Sequence, residues 1–355
     1  MRGIDTLRRL DSDAGLLRLR LDTLNRQLAT GRRAEAPGDL APQLPHIAAL
    51  RADAGRHAAY RAAVSEASGR TDVAQTALGR LAGIAREFAE SVTAKLDPGN
   101  PDTISFAAAR ARSALIETGQ ILNTRAGNDY LFGGSDSQSP PVPSPDDLPS
   151  GGFAAAIAAS VATLGGGNAA AVAAATRATA ASDAAGTTPF SAFLSASPGL
   201  GEPRRSVPSD DGAMVAYGIP ANRNAVAVSH GETTGSWARD LLRGLASVAA
   251  MTPAQAAASP ADFTQFIGMV RGGFRSADSA LADEAGALGV TQKHLDETQQ
   301  RHADADTALQ GQLSEIQDVD LAEVLTRLKS TETTLQASYS AIGRISQLTL
   351  AQFLR

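Results

Sequence analysis

The stretch DTLRRLDSDAGLLRLRLDTLNRQLAT, residues 5–30, carries the most regular pattern in the chain. Its apolar side chains recur at alternating intervals of three and four residues, at Leu7, Leu10, Ala14, Leu17, Leu21, Leu24 and Leu28. A repeat of this kind forms one narrow apolar stripe on a helix, and another helix is needed to bury it. Arg and Asp side chains occupy many of the positions between. The stretch therefore predicts a helix that packs along a partner helix, and Gly31, Pro37 and Gly38 end it.

The carboxyl end of the chain repeats this pattern. Leu321, Leu325, Leu328, Leu335, Tyr339 and Ile342 follow one another at intervals of 4, 3, 7, 4 and 3 residues, with Glu332 at the omitted position. Terminal segments are usually the least ordered part of a domain, so strong stripes at both ends favour a role in assembly. The alternative is a helix hairpin inside an ordinary bundle. We expect the assembly interface to consist of Leu7, Leu10, Leu17, Leu21, Leu24, Leu28, Leu321, Leu325, Leu328, Leu335, Tyr339 and Ile342.

Longer helices are predicted next to both terminal stripes. One runs from about 46 to 95 and ends at the turn Asp97-Pro98-Gly99-Asn100-Pro101. A second follows over about 102–126, and a third covers about 262–317. The chain is therefore expected to be mainly helical.

The centre of the chain has a different composition. Residues 136–150, rich in Pro and Ser, are interpreted as a linker. Residues 151–176 carry no charge, but they are mostly Ala and contain three consecutive glycines, so we expect a pair of Ala-rich helical turns and not a membrane span. Residues 214–217 and 225–228 have β character. A small mixed insert is therefore predicted inside a helical frame.

Composition excludes several classes of protein. The chain has 355 residues and a formal net charge of −5, which suggests two or three domains and argues against a dedicated nucleic-acid binder. Absence of Cys excludes disulfides, thiolate metal sites and thiol nucleophiles. Charged residues from Arg2 to Asp13 break any apolar signal-peptide core. If the protein leaves the cytosol, we expect a route that does not use a cleaved signal peptide.

No catalytic motif or paired-Cys metal motif is found in the sequence. His294 and His302 are too far apart on one predicted helix to share a metal ion, so both are expected to be exposed. A hydrolase would need His230 to act with groups such as Ser229 and Glu232, although neighbours in sequence rarely form a triad. We therefore expect no enzyme activity, no cofactor and no metal.

Three segments resemble the bacterial flagellin family, which includes flagellar hook-associated proteins. LNRQLATGRRAEAPGDLA (24–41) resembles the end of the family's first helix, and NDYLFGG (128–134) resembles its strand motif after the amino-terminal helices. QDVDLAEVLTRLKSTETTLQASYSAIGRISQLTLAQFL (317–354) is similar to its carboxyl-terminal helix. The family usually has paired Asp in the first turn, where this chain has only Asp39. The resemblance therefore does not extend to the paired-Asp contacts of that turn.

The resemblance implies a mainly α, flagellin-like elongated rod with three layers. Residues 1–40 and 319–355 would form a terminal coiled-coil layer. Residues 41–135 and 236–318 would form a helical rod domain. Residues 136–235 would form a small outer α+β insert domain.

The resemblance also implies a structural function in the bacterial flagellum, outside the cell, after export through the flagellar type III apparatus. The TLAQFL ending, the opening Met1-Arg2 and the form YLFGG (130–134) are more similar to the protein at the hook–filament junction than to the filament subunit, which stays the alternative. Implied partners are other flagellar axial subunits (a hook-associated protein and filament flagellin), further copies of the chain and an export chaperone, with no nucleic acid. A helical scaffold unrelated to flagella is the second alternative.

Overall fold

The computed structural model describes residues 2–34 and 41–353, and their side chains over residues 8–34 and 41–345. Helices account for 68% of the structure and strands for 5%, which confirms the predicted mainly helical fold. Asp39 and its neighbours Gly38 and Leu40, which the resemblance places in the turn after the first helix, lie outside the described residues.

The chain divides into two compact units. The first contains residues 1–59 and 302–355, and the second contains residues 60–301. The three-layer division at residues 40, 135, 235 and 318 stays a prediction.

In the part of the first unit that the structure describes, two helices lie wholly within the unit and two others only in part. Helix α1 (Arg2–Thr30) and helix α9 (Leu321–Phe353) are complete, whereas α2 (Leu44–Arg86) and α8 (Pro260–Gln317) continue into the second unit. Gly31 ends α1, because its positive φ of 69° suits glycine and its N–H donates to the Gln27 carbonyl. Asp320 begins α9, where its carboxylate accepts the N–H groups of Ala322 and Glu323.

The second unit is built on long helices around an aromatic core. After α2 the chain continues as a π-helix (Glu87–Val92) and a 3-10 helix (Thr93–Lys95), and α3 (Pro101–Leu122) follows, capped by the Asn100 side chain. Helices α6 (Trp237–Ala250) and α7 (Pro253–Ala258) precede α8. The predicted helices over 46–95 and 262–317 are thus confirmed, whereas the helix predicted over 102–126 ends at Leu122 and residues 125–126 form a strand instead. Large buried side chains fill the core, namely Phe88, Phe132, Trp237, Phe263, Phe266 and Phe274.

The central segment packs on the same core. Helices α4 (Gly152–Val161) and α5 (Ala169–Ala181) confirm the predicted pair of Ala-rich helices. The interpretation of 136–150 as a linker is wrong, because Val142 and Leu148 are buried in the core. The Asn123 amide holds this segment to the end of α3, donating to the Val142 carbonyl and accepting the Val142 N–H.

Two short antiparallel hairpins complete the second unit. Strand β1 (Arg125–Ala126) pairs with β2 (Asp129–Tyr130), within the predicted strand motif. Strand β3 (Ser206–Asp210) pairs with β4 (Ala213–Ala216), with Val207 opposite Val215. The strand predicted over 225–228 is absent from the described structure, since the N–H groups of Ala225, Val226 and Ala227 all donate to the buried Glu284 carboxylate. Three N–H groups bound to one oxygen cannot pair with a neighbouring strand.

Buried charges on α6 bind the central segment. Arg243 donates to the Glu232 carboxylate at 2.8 Å and to the Ala173 carbonyl at 3.0 Å. Arg239 donates to the carbonyls of Asn222 and Ala180, both at 2.9 Å. Burial lowers the pKa of Arg243 and raises the pKa of Asp240 on the same helix. The hydrogen bonds satisfy these guanidinium groups, which would otherwise be costly to bury.

Candidate assembly surface on the terminal helices

The predicted stripe on α1 faces α9. Helices α1 and α9 pack along each other. Among the predicted stripe positions, Ala14 and Leu24 are buried, and four are half-buried: Leu10, Leu17, Leu21 and Leu28. The side chain of Leu7 lies outside the described residues. The predicted heptad stripe of α1 therefore corresponds to the side of the helix that contacts α9.

On α9 the buried stripe differs from the predicted one. Val324 and Thr331 are the buried side chains, and Leu328, Leu335 and Ile342 from the predicted stripe are half-buried. Leu321, Leu325 and Tyr339, also predicted, are exposed. The contacting stripe includes two positions that sequence reasoning passed over, because a search for leucine repeats does not select Val324 and Thr331. These two positions restore the regular alternation of four and three residues with Leu328 and Leu335.

A short backbone link joins α1 to α9. The N–H of Arg33 donates to the Gln317 carbonyl at 2.7 Å, and the N–H of Val319 donates to the Gly31 carbonyl at 3.0 Å. Arg32 and Asp318 thereby form an antiparallel bridge. Because this bridge connects the end of α1 to the start of α9, the two helices run antiparallel.

One polar contact crosses between the two terminal helices further along. The Arg18 side chain donates a hydrogen bond to the Tyr339 hydroxyl, and its guanidinium carbon lies 5.1 Å from the centre of the tyrosine ring. Arg18 lies at one of the charged positions between the stripe residues of α1. Its long side chain makes this contact possible, because an Arg beside an apolar stripe can reach across to an aromatic ring on the partner helix.

The pair leaves a second set of apolar side chains uncovered. On α1, Leu16 is 63% exposed and Leu19 is 66% exposed, and their spacing of three residues places them on one side of the helix. On α9, Leu321 and Leu325 are four residues apart and likewise exposed. Each leucine that becomes fully buried contributes about 1.5–3 kcal/mol. Each of these two leucine pairs is suited to protein–protein contact through apolar burial.

One of the two histidines predicted to be exposed was placed wrongly by the sequence. His294 is exposed as expected, but His302 is 3% exposed and contacts His57, so its predicted exposure is wrong. No signal in the sequence could have paired these rings, since 245 residues separate them.

Within the described residues, no group of three or more His, Cys, Asp or Glu side chains could hold a metal ion. Glu232, considered above as a partner of His230, is bound by the guanidinium groups of Arg177 and Arg243. Among the described residues, no helix has both the length and the hydropathy needed to cross a membrane.

The chain is mainly helical, and its two terminal helices pack along each other while leaving several leucines exposed. Residues 274–354 match the family model of the bacterial flagellin C-terminal helical region, which covers the second part of α8 and α9. A comparison with curated proteins gives no match. This match indicates similarity to the bacterial flagellin family. Members of that family are structural proteins and not enzymes, so the match suggests a structural flagellar component.

Proposed function

We propose that this protein is a structural component of the bacterial flagellum that joins the hook to the filament by assembly through its terminal helices. The observation that carries the proposal is the flagellin match over α9, the same helix that pairs with α1 and leaves Leu321 and Leu325 exposed. The YLFGG and TLAQFL motifs support the junction over the filament.

Assembly supplies the mechanism. Docking at the growing end would bury Leu16, Leu19, Leu321 and Leu325 against helices of neighbouring subunits. Four leucines at about 1.5–3 kcal/mol each would provide a substantial part of the free energy of binding, after the loss of translational and rotational freedom. The proposed partners are a hook-associated protein, filament flagellin, other copies of the chain and an export chaperone. The proposed location is outside the cell, reached without a cleaved signal peptide.

The test is a clean deletion of the gene, with electron microscopy of the cell surface and an assay for filament protein in the medium. Bare hooks with filament protein released into the medium are the expected result, because exported subunits would find no platform. Bare hooks without released filament protein would overturn the junction role and identify the chain as the filament subunit, which the flagellin match equally supports.

Normal flagella in the deletion strain would contradict both flagellar roles and favour an unrelated helical scaffold. Sedimentation of the purified protein separates this case further. A scaffold with paired seams forms a closed oligomer of fixed size, whereas a junction subunit is expected to sediment as a monomer until it meets its partners.

A further inference from the structure

The solvent-facing side of the β3–β4 hairpin carries an exposed thioether. In the antiparallel register of the hairpin, Met214 on β4 lies opposite Pro208 on β3. Side chains alternate between the two faces of a strand, so Val207 and Val215 lie on the other face, where they are buried in a small cluster with side chains of α2 and α8. Met214 is 60% exposed, and Pro208 is exposed as well. One face of the hairpin therefore holds it to the helices, and the other presents an apolar pair to solvent.

Methionine is the only sulfur-containing residue of this chain. The sequence contains four methionines and no cysteine, so no thiol competes with them for an oxidant. Met251, which follows α6, is 3% exposed and belongs to the core of the second unit. Met269 on α8 is half-buried and packs against the same core. The side chain of Met1 lies outside the described residues. Among the described methionines, Met214 is therefore the one that solvent reaches most.

An exposed thioether can take up one oxygen atom from a peroxide. A lone pair of the Met214 Sδ attacks one oxygen of hydrogen peroxide, the O–O bond breaks, and the other oxygen leaves as water after a proton shift. The sulfur loses two electrons and the peroxide gains them. The product is methionine sulfoxide, which is polar, whereas the thioether is apolar.

The position of Met214 allows this change without loss of the fold. Its sulfoxide oxygen would stay in water, so no polar group would be buried without a partner. The same oxygen on Met251 would lie in the core. The hairpin is attached through its other face and through the Tyr60 hydroxyl, which donates to the Asp211 carboxylate at 2.7 Å. Oxidation at Met214 removes none of these contacts.

We propose that Met214 is the oxidation site of the folded protein among its described residues. A peroxide turns the solvent-facing side of the β3–β4 hairpin from apolar to polar there, without unfolding the chain. The modification is reversible, because methionine sulfoxide reductases reduce sulfoxides and an exposed side chain is accessible to them. This property does not depend on the flagellar role.

The test is treatment of the purified full-length protein with hydrogen peroxide, followed over time by peptide mass spectrometry. Met214 is expected to gain oxygen at least about tenfold faster than Met251, which reacts only when the core opens. In urea that unfolds the chain, the two rates should become similar. Oxidation of Met251 or Met269 as fast as Met214 in the folded protein would overturn the proposal. A rate difference that persists in urea would overturn it too, since burial would then not be its cause.

A second measurement tests whether the fold survives the modification. Protein oxidised at Met214 should unfold at the same urea concentration as untreated protein, and the two reductases should remove the oxygen from the folded chain. Met214→Leu is the matched control, because it keeps an apolar side chain without the sulfur and should be unchanged by peroxide at this position. A lower unfolding midpoint after selective oxidation of Met214, with Met214→Leu unaffected by the same treatment, would contradict the proposal. Failure of the reductases to act on the folded chain would contradict it as well.

Discussion

Helices α6 and α1 bury their side chains in opposite ways. In α6 every residue from Trp237 to Ala249 is buried, including Arg239, Asp240 and Arg243. In α1, among the side chains from Arg8 to Thr30, only two are buried, while two leucines are mostly exposed. The side chains of α6 are thus buried entirely by other parts of the chain, whereas α1 keeps leucines that no part of the described chain covers. The difference indicates that burial around α6 stabilises the fold, and it agrees with the proposal that α1 keeps apolar area for another partner.

The largest expected effect is on the core of the second unit. Phe274 is fully buried and stacks against Phe88 with ring centres 5.3 Å apart, so Phe274→Ala should lower the free energy of unfolding by about 3–5 kcal/mol. Phe106 is the matched control, because it is 70% exposed and Phe106→Ala should change stability by less than about 0.5 kcal/mol. Urea unfolding measures both. Equal losses of unfolding free energy in the two variants would contradict the claim that burial of Phe274 stabilises this core.

The next largest effect is expected for charged substitutions in the apolar stripe of α1. Leu17→Asp combined with Leu24→Asp places two charges against α9, at a cost of about 2–4 kcal/mol to the terminal pair. Hydrogen exchange should show lost protection in α1 and α9, with that of α6 unchanged, and the variant should not join flagella. Normal assembly of this double variant would mean that the α1 stripe is not needed.

A smaller effect depends on pH and concerns the second unit. The hydrogen bond from Arg70 lowers the pKa of Asp129 below its ordinary value. The stabilisation is therefore complete above about pH 4, the ordinary value for Asp, and is lost as the pH falls through the lowered pKa of the folded state. Asp129→Asn should cost about 1 kcal/mol at pH 7 and much less near pH 2. Urea unfolding at both values checks this, and a pH-independent difference would contradict it.

The smallest effect on stability is expected at the exposed leucines. Leu16→Asp with Leu19→Asp should change the stability of the free protein by less than about 0.5 kcal/mol, since neither side chain is buried. Assembly into flagella, scored by motility and microscopy, should nevertheless fail. Ser12→Asp, at an exposed polar position of the same helix, is the control and should assemble. Normal motility of the double leucine variant would remove this face from the assembly surface.

Periodicity explains which parts of the fold were predictable. The helices and the α1 stripe follow from local patterns, because the spacing of Leu10, Leu17 and Leu24 reports directly which side of a helix is apolar. The α9 stripe was identified only in part, because Thr331 is buried by its position and not by its hydrophobicity. The local pattern also predicted a strand at 225–228. Instead, the backbone there donates to the carboxylate of Glu284, 57 residues beyond Ala227.

Long-range contacts were beyond the sequence. The bond between His57 and His302, the contact between Arg18 and Tyr339, and the packing of Val142 all join residues distant in sequence or depend on a particular side-chain geometry. Composition cannot reveal such pairs. A Pro- and Ser-rich segment was interpreted as a linker for the same reason, although one asparagine amide and two apolar side chains hold it to the core.

The most direct test of assembly through the terminal helices uses the absence of cysteine from the chain. Leu16→Cys and Leu19→Cys each introduce a single thiol on the exposed face of α1. Labelling with a thiol reagent is compared between purified monomer and intact flagella isolated from cells that carry the variant. Rapid labelling of the monomer and strong protection in flagella are predicted, because neighbouring subunits would cover this face. Equal labelling in both states would contradict assembly through the exposed leucines of α1.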